Sequence, residues 1–341
     1  MKQEGRKLKL LFVSHSFPPP GKPLENVGGM QRVATELHAA LGRHPDVELH
    51  SLVLETSWRW THVRVFPFLA GLLRRIPRLV RREGIDVVFF SSMVTATLAP
   101  ELRRRAGMRS VRLATVVHGL DITTAAPLWQ RIVRRTFRAL DRVAPISRAT
   151  AEEARKRGVP PERMRVVLNG VDLRRFSPLG DRAEARRELL RALGEAGAGI
   201  PADALLLCSV GRHVERKGFA WFAREVMPRL PDNVVWLLAG EGPETPAVRA
   251  AVSAGKLEAR VRLLGRVSEE LLQRLYHGSD LFIMPNVPVP NDMEGFGMVV
   301  LEAALSGLPT VGRAWKGSRI PSPRARTGSW WSPGTPPPSR G

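Results

Sequence analysis

KLLFVSHSFPPPGKPLENVGGMQRVATELHAALGRH, residues 9–44, decides the fold. Lys9 to Ser14 is a short apolar run of the buried-strand kind, and the prolines and glycines that follow keep the next stretch out of regular structure. Gly28 and Gly29 then open a helix in which Val33, Leu37 and Leu41 recur at helical spacing. Strand, glycine loop, helix is the opening of a βαβ unit, and the pattern repeats. Strands are expected at Val47–Leu54 and at Val87–Phe90, the latter a continuous apolar run typical of a parallel sheet covered on both faces. VVHGLD (116–121), VAPISRAT (143–150) and VVLNGVD (166–172) are each expected to be a strand ending in polar or glycine residues. From Phe176 to Asp203 the chain turns rich in Ala, Arg and Glu, which places a domain junction there. A second series follows in LLLCSVG (205–211), VVWLLAGEGPE (234–244), VRLLGRV (261–267) and SDLFIMPN (279–286). The chain is therefore expected to be α/β, with two doubly wound Rossmann-like domains over 1–177 and 178–312.

Composition narrows the function classes. The formal charge of +21 is unevenly placed: residues 1–175 carry 32 basic against 15 acidic side chains, and residues 176–312 carry 15 against 17. That asymmetry suits an anionic surface facing the first domain. Between Leu72 and Arg82, LLRRIPRLVRR mixes leucine, isoleucine and valine with five arginines. It reads either as a segment lying on anionic lipid or as a surface helix packed on the sheet, with Pro77 interrupting a longer helix. A nucleic-acid binder rests on charge alone, since basic motifs interleaved with aromatics are missing. Neither a GxGxxG fingerprint nor a P-loop is found. The first apolar run ends in prolines without a cleavage site, so no signal peptide is expected, and Val87–Pro100 is too short and polar to span a bilayer. Cys208, the single cysteine, lies in a buried-strand pattern and is expected to be a core residue in a reducing cytoplasm.

Chemistry concentrates in NDMEGFGMVVLEAALSGLPTV, residues 291–311. Glu294 and Glu302 stand eight positions apart across a turn in which Gly295 and Gly297 flank Phe296, where the backbone can approach a ligand closely. Good helix formers from Met298 onward place the amides of Phe296, Gly297 and Met298 at a helix N-terminus that favours an anion. Arg212 and Lys217, in a loop just past a strand, can converge on one diphosphate, the arginine as a planar fork and the lysine as a compact charge. His118 ends a strand at the edge where open α/β sheets bind ligands.

In their order, the Gly28-Gly29 loop, HGLD, ISRAT, NGVD, GRHVERKG, GEGPE and EGFGMVVLE make the chain from residue 8 to about 312 resemble a retaining glycosyltransferase of the GT-B fold, family GT4. The resemblance implies two Rossmann-like domains facing each other across a cleft. It implies Glu294 with the amides of Gly295, Phe296, Gly297 and Met298 on the donor sugar and Glu302 on the nucleotide ribose. It further implies Arg212, Lys217, Gly28 and Gly29 on the diphosphate, and His118 with Glu294 as catalytic groups. The co-substrate would be a nucleotide-diphosphate sugar, with no metal and no other cofactor. The acceptor would be a lipid-linked or other glycan, reached in the cytoplasm or on the inner face of the plasma membrane.

After Val311 the family pattern stops. Residues 313–341 contain six basic residues and six prolines but no acidic residue, leucine or valine. They are expected to be a structureless, non-family tail, read out of frame from about Gly312, which leaves the second domain incomplete. The alternative function is then an inactive relic or a protein that only binds the donor.

Overall fold

The computed structural model describes residues 6–22, 28–171, 181–290, 292, 294–313 and 330–331. The chain divides into two compact units, one running to Asn169 and one starting at Gly170, with Glu294, Gly295 and Phe296 belonging to the first. Residues 172–180, around which the sequence places the boundary, lie outside the described residues.

In the first unit β1 (Leu8–Phe17), β2 (Val47–Glu55), β3 (Val87–Phe90), β4 (Arg112–Val117) and β5 (Arg142–Pro145) form a parallel sheet in the order β2-β1-β3-β4-β5. The helices used below are α1 (Gly29–Gly42), α2 (Trp58–Glu83), α3 (Pro127–Ala139) and α4 (Arg148–Lys156). Strand β1 shows why both faces are apolar. Leu10 and Phe12 pack toward Leu37 and Leu41 of α1 on one side, while Leu11 and Val13 join Leu72, Ile76 and Val80 of α2 on the other.

Helix α2 corrects one expectation and decides between two others. It continues through both Pro67 and Pro77. An interior proline costs about 3 kcal/mol. Burial of Leu72, Ile76 and Val80 outweighs it, at roughly 1.5–3 kcal/mol for each side chain. The apolar side of Leu72–Arg82 is therefore core, with its five arginines turned to solvent, and this segment packs on the sheet rather than on lipid. A second correction concerns VVLNGVD. Its described part, residues 166–171, has no regular structure. Val167 donates an amide bond to the Pro145 carbonyl (3.0 Å), but Val166, Val167 and Leu168 stay exposed, because among the described residues no layer covers them beyond the edge strand β5.

In the second unit β6 (Leu205–Val210), β7 (Val234–Ala239), β8 (Val261–Gly265), β9 (Leu281–Met284), β10 (Thr310–Arg313) and β11 (Trp330–Trp331) are parallel, in the order β11-β10-β9-β6-β7-β8. Counted from β6 this is the 3-2-1-4-5-6 order of a dinucleotide-binding sheet. The helices are α5 (Arg182–Leu193), α6 (Thr245–Ala254), α7 (Glu269–Gly278) and α8 (Met298–Leu305). Leu206 and Cys208 fill one core and Leu207 the other. Burial pushes the Cys208 thiol up to about 12, as befits an inert core residue. The tail expectation is corrected at two residues: Trp330 and Trp331 pair with Gly312 and Arg313. A strand edge offers unpaired backbone groups, and aromatic residues favour extended backbone. Residues 314–329 and 332–341 lie outside the described residues.

Candidate functional site

Strand order in the first sheet reverses between β1 and β3, so the carboxyl ends of those strands form its ligand-binding edge. His15 and Ser16 lie at the end of β1, and Ser91 and Ser92 follow β3. The Ser91 hydroxyl donates to Ser14 Oγ (2.9 Å), and His15 Nδ1 lies 3.4 Å from Ser92 Oγ. Burial, and secondarily the neighbouring His118, lower the His15 pKa to about 4, so its imidazole is neutral at physiological pH.

His118 follows β4. Its amide and that of Gly119 both donate to Asp121 Oδ1 at 2.9 Å, and the Met93 amide donates to Oδ2 at 3.2 Å. Gly119 adopts φ 112°, a conformation that favours glycine. From α3, Trp129 Nε1 and Gln130 Nε2 donate to the carbonyls of Asp121 and Ile122, which fixes the loop. His118 Nε2 lies 2.8 Å from the Ser91 carbonyl. A carbonyl only accepts, so Nε2 carries a hydrogen in this contact. Gly295 sits directly against this loop: a Cβ there would lie 2.2 Å from the His118 carbonyl oxygen. Half-buried Glu294 and buried Phe296 flank it. Gly28 and Gly29 lead into α1, whose first turn has no acidic residue and no side-chain cap. Gln31 folds over Gly28, while Gly29 faces open space.

In the second unit the order reverses between β6 and β9. Arg212 is exposed just past β6, and Lys217 is buried with its stem against Gly211, so one loop carries both cations. Three loops abut here backbone to backbone. A Cβ on Gly218 (φ 69°) would lie 2.5 Å from the Pro285 carbonyl oxygen, and one on Gly240 would lie 2.0 Å from that of Gly211. The Val287 amide donates to the Arg216 carbonyl (3.0 Å), tying the loop after β9 to the loop after β6. Gly297, with φ 77°, precedes α8, where Met298 is buried and the first turn lacks both a side-chain cap and an acidic residue. Its leading amides therefore keep their positive potential. Glu302 is buried in α8 and accepts from the Tyr276 hydroxyl at 2.9 Å.

The predicted residues thus fall into two groups. Gly28, Gly29, His118, Glu294, Gly295 and Phe296 belong to the first unit; Arg212, Lys217, Gly297, Met298 and Glu302 belong to the second. Sequence reasoning misses His15, Tyr276, His213 and Asn286. His213 and Asn286, just beyond β6 and β9, are buried, and among the described residues Nε2 and Oδ1 respectively lack a hydrogen-bond partner. An orphaned buried polar atom costs about 1–3 kcal/mol, and at a strand-order reversal it suits a polar ligand. His213 Nδ1 pairs with Thr245 Oγ1 (2.9 Å), and burial lowers its pKa. For His213 and Asn286 the available signal is position: each lies within three residues of the end of an apolar strand. Among the described residues no three His, Cys, Asp or Glu side chains gather as a metal-binding group.

Comparison with known proteins adds sequence relationships to this geometry. The family model described as Glycosyltransferase Family 4 matches residues 27–175, and that described as Glycosyl transferases group 1 matches residues 204–336. The chain is 29% identical over 230 residues to the putative colanic acid biosynthesis glycosyltransferase WcaL of Escherichia coli, covering 66% of this chain and 52% of that protein. It is 31% identical over 245 residues to the GDP-mannose-dependent alpha-(1-6)-phosphatidylinositol monomannoside mannosyltransferase of Mycolicibacterium smegmatis, covering 70% and 60%. It thus spans about half to two thirds of the length of these relatives. Among solved structures, HepE of Anabaena in complex with UDP superposes with a TM-score of 0.69 at 18% identity, over 96% of this chain and 86% of that one. With two parallel α/β sheets and both family models matched in chain order over most of its length, the chain belongs to the GT4-type glycosyltransferases of the GT-B fold.

Proposed function

We propose that the chain transfers a sugar from a nucleotide-diphosphate sugar to an acceptor, with retention of anomeric configuration, in the synthesis of a lipid-linked glycan, glycolipid or polysaccharide. The observation that carries the proposal is the convergence at the β6/β9 reversal. Arg212 and Lys217 stand on one loop, and the adjoining loop leads past buried Asn286 to the uncapped amides of α8. Breaking the bond from anomeric carbon to phosphate builds negative charge on the departing diphosphate and positive charge on the sugar. A guanidinium, an ammonium and helix amides stabilise that leaving group, so no metal is assigned. Glu294 and the amides of Gly295 to Met298 hold the sugar, Glu302, oriented by Tyr276, takes the ribose, and Gly28 and Gly29 offer amides to phosphate. His118 acts at the reacting sugar through Nδ1. No covalent nucleophile is assigned; the acceptor attacks from the face the diphosphate leaves.

The acceptor side is assigned to the first unit, docked on an anionic membrane at the inner face of the plasma membrane. We assign that contact to the turns of α2 preceding Leu72–Arg82, because the apolar side of Leu72–Arg82 is core. There Trp60, Val63 and Phe66, at one-face helical spacing, are 57%, 62% and 71% exposed beside exposed Arg59 and Arg64. No helix among the described residues is long and apolar enough to cross a membrane.

A screen of nucleotide sugars with lipid-linked and free glycan acceptors tests the reaction. A product with the donor's anomeric configuration supports the assignment. An inverted product overturns retention, and nucleotide binding without any product makes the chain a donor-binding protein only.

A further inference from the structure

A cluster of arginines outside the candidate site lies at the opposite edge of the first sheet. Ligands of parallel α/β sheets bind at the carboxyl ends of the strands, where His118 stands after β4. At the amino end of β5 there is a separate concavity of about 480 Å³ whose lining includes Arg103, Arg135, Arg138, Arg142 and Arg163 and a single acid, Asp141. These arginines come from four places in the chain. Arg103 follows a short helical turn, Arg135 and Arg138 are in the last two turns of α3, Arg142 begins β5, and Arg163 closes the turn Pro161–Arg163.

Two of the six groups neutralise each other and are committed to the fold. Arg103 donates to the carbonyls of Ala139 (3.1 Å), Met108 (3.2 Å) and Val111 (2.8 Å) and pairs with Asp141. Asp141 also accepts from the Leu113 amide at 2.7 Å. Among the described residues Arg142 reaches only the Asp141 carbonyl, at 3.0 Å. Arg135, Arg138 and Arg163 are exposed and have no carboxylate partner among the described residues. Four guanidiniums therefore border one hollow without a countercharge. The C-terminus of α3 contributes only about half a negative charge, too little to balance them. Planar forks arriving from separate elements match the several oxygens of a phosphate group, which arginine binds bidentately.

We infer that this hollow is a second anion site, distinct from the donor site, that binds a phosphate-bearing group, either the diphosphate of a soluble compound or the phosphate of an anionic lipid headgroup. Its arginines hold phosphate oxygens at the rim, while the Arg103–Asp141 pair keeps the floor rigid.

The full chain carrying R212A and K217M, which weakens the donor diphosphate site, is the background for the test. Inorganic pyrophosphate is titrated by calorimetry, and flotation is measured with phosphatidylcholine vesicles with and without phosphatidylglycerol. R135Q/R138Q and, on a different element, R163Q are introduced into this background; all three side chains are exposed, so melting temperatures should match. A loss of pyrophosphate affinity of about tenfold or more supports the site with a soluble ligand. Unchanged pyrophosphate binding with a comparable loss of phosphatidylglycerol-dependent flotation supports it with a lipid headgroup. Unchanged binding of both probes in both variants overturns it.

Discussion

His15 and His118 illustrate how two residues of one type take different parts. His118 is half-buried and is orientated by the Ser91 carbonyl and by Asp121 beneath its loop. His15 is buried beside it with its pKa lowered to about 4, so its charged form is disfavoured next to a second imidazole. This has a consequence for stability. An unfolded histidine takes up a proton near pH 6.5, whereas folded His15 does not until about pH 4. Between those values the unfolded state binds more protons, so stability is full above about pH 6.5 and falls as the pH drops toward 4. The loss is expected to be roughly 3 kcal/mol over the window. Urea midpoints of the native chain and His15→Asn, measured from pH 7 to 4, should converge as the pH falls; parallel curves would show that His15 is not the group responsible. Gly295 is the other residue on which the arrangement depends, since any side chain there would meet the His118 carbonyl.

Among the elements, α2 joins two surfaces in one continuous helix. Its later turns bury Leu72, Ile76 and Val80 in the core, and its first turns hold Trp60, Val63 and Phe66 in solvent. If those turns meet a membrane, Trp60→Ser/Phe66→Ser should lower binding to phosphatidylglycerol vesicles by about tenfold or more, since burying an aromatic of this size contributes roughly 1.5–3 kcal/mol. Equal flotation of the variant and the native chain would remove the membrane contact from α2. The contrast also marks what a sequence can show. Strand β3 and helix α8 are legible from Val87–Phe90 and Met298–Leu305, because continuous burial in a parallel sheet and helix propensity are local signals. The persistence of α2 through Pro77 is not, because it depends on which side chains find a core. Nor is the exposure of Val166 to Leu168, which look like strand residues but pass beyond the edge of the sheet. At the site, Arg212, Lys217 and the glycines stand out by residue type and place. The Tyr276–Glu302 bond joins α7 to α8 across 26 positions, and only the folded sheet brings them together.

At the scale of the molecule, both units solve the same problem with a parallel sheet whose strand order reverses once, and each reversal gathers polar residues that core packing does not require. The charge is divided accordingly. The first 175 residues hold a large basic excess, whereas residues 176–312 are nearly balanced apart from cations placed at particular loops. In the second unit these include Arg212 and Lys217, and the central claim is that they hold the diphosphate of a nucleotide donor. Arg212 is exposed, and Lys217→Met keeps the stem that packs on Gly211, so neither Arg212→Ala nor Lys217→Met should disturb the fold. The most direct measurement is calorimetric titration of UDP, GDP and ADP into the native chain and these two variants. The expected result is that at least one nucleoside diphosphate binds the native chain and that each substitution weakens it by about tenfold or more; equal affinity in all three proteins would contradict the assignment.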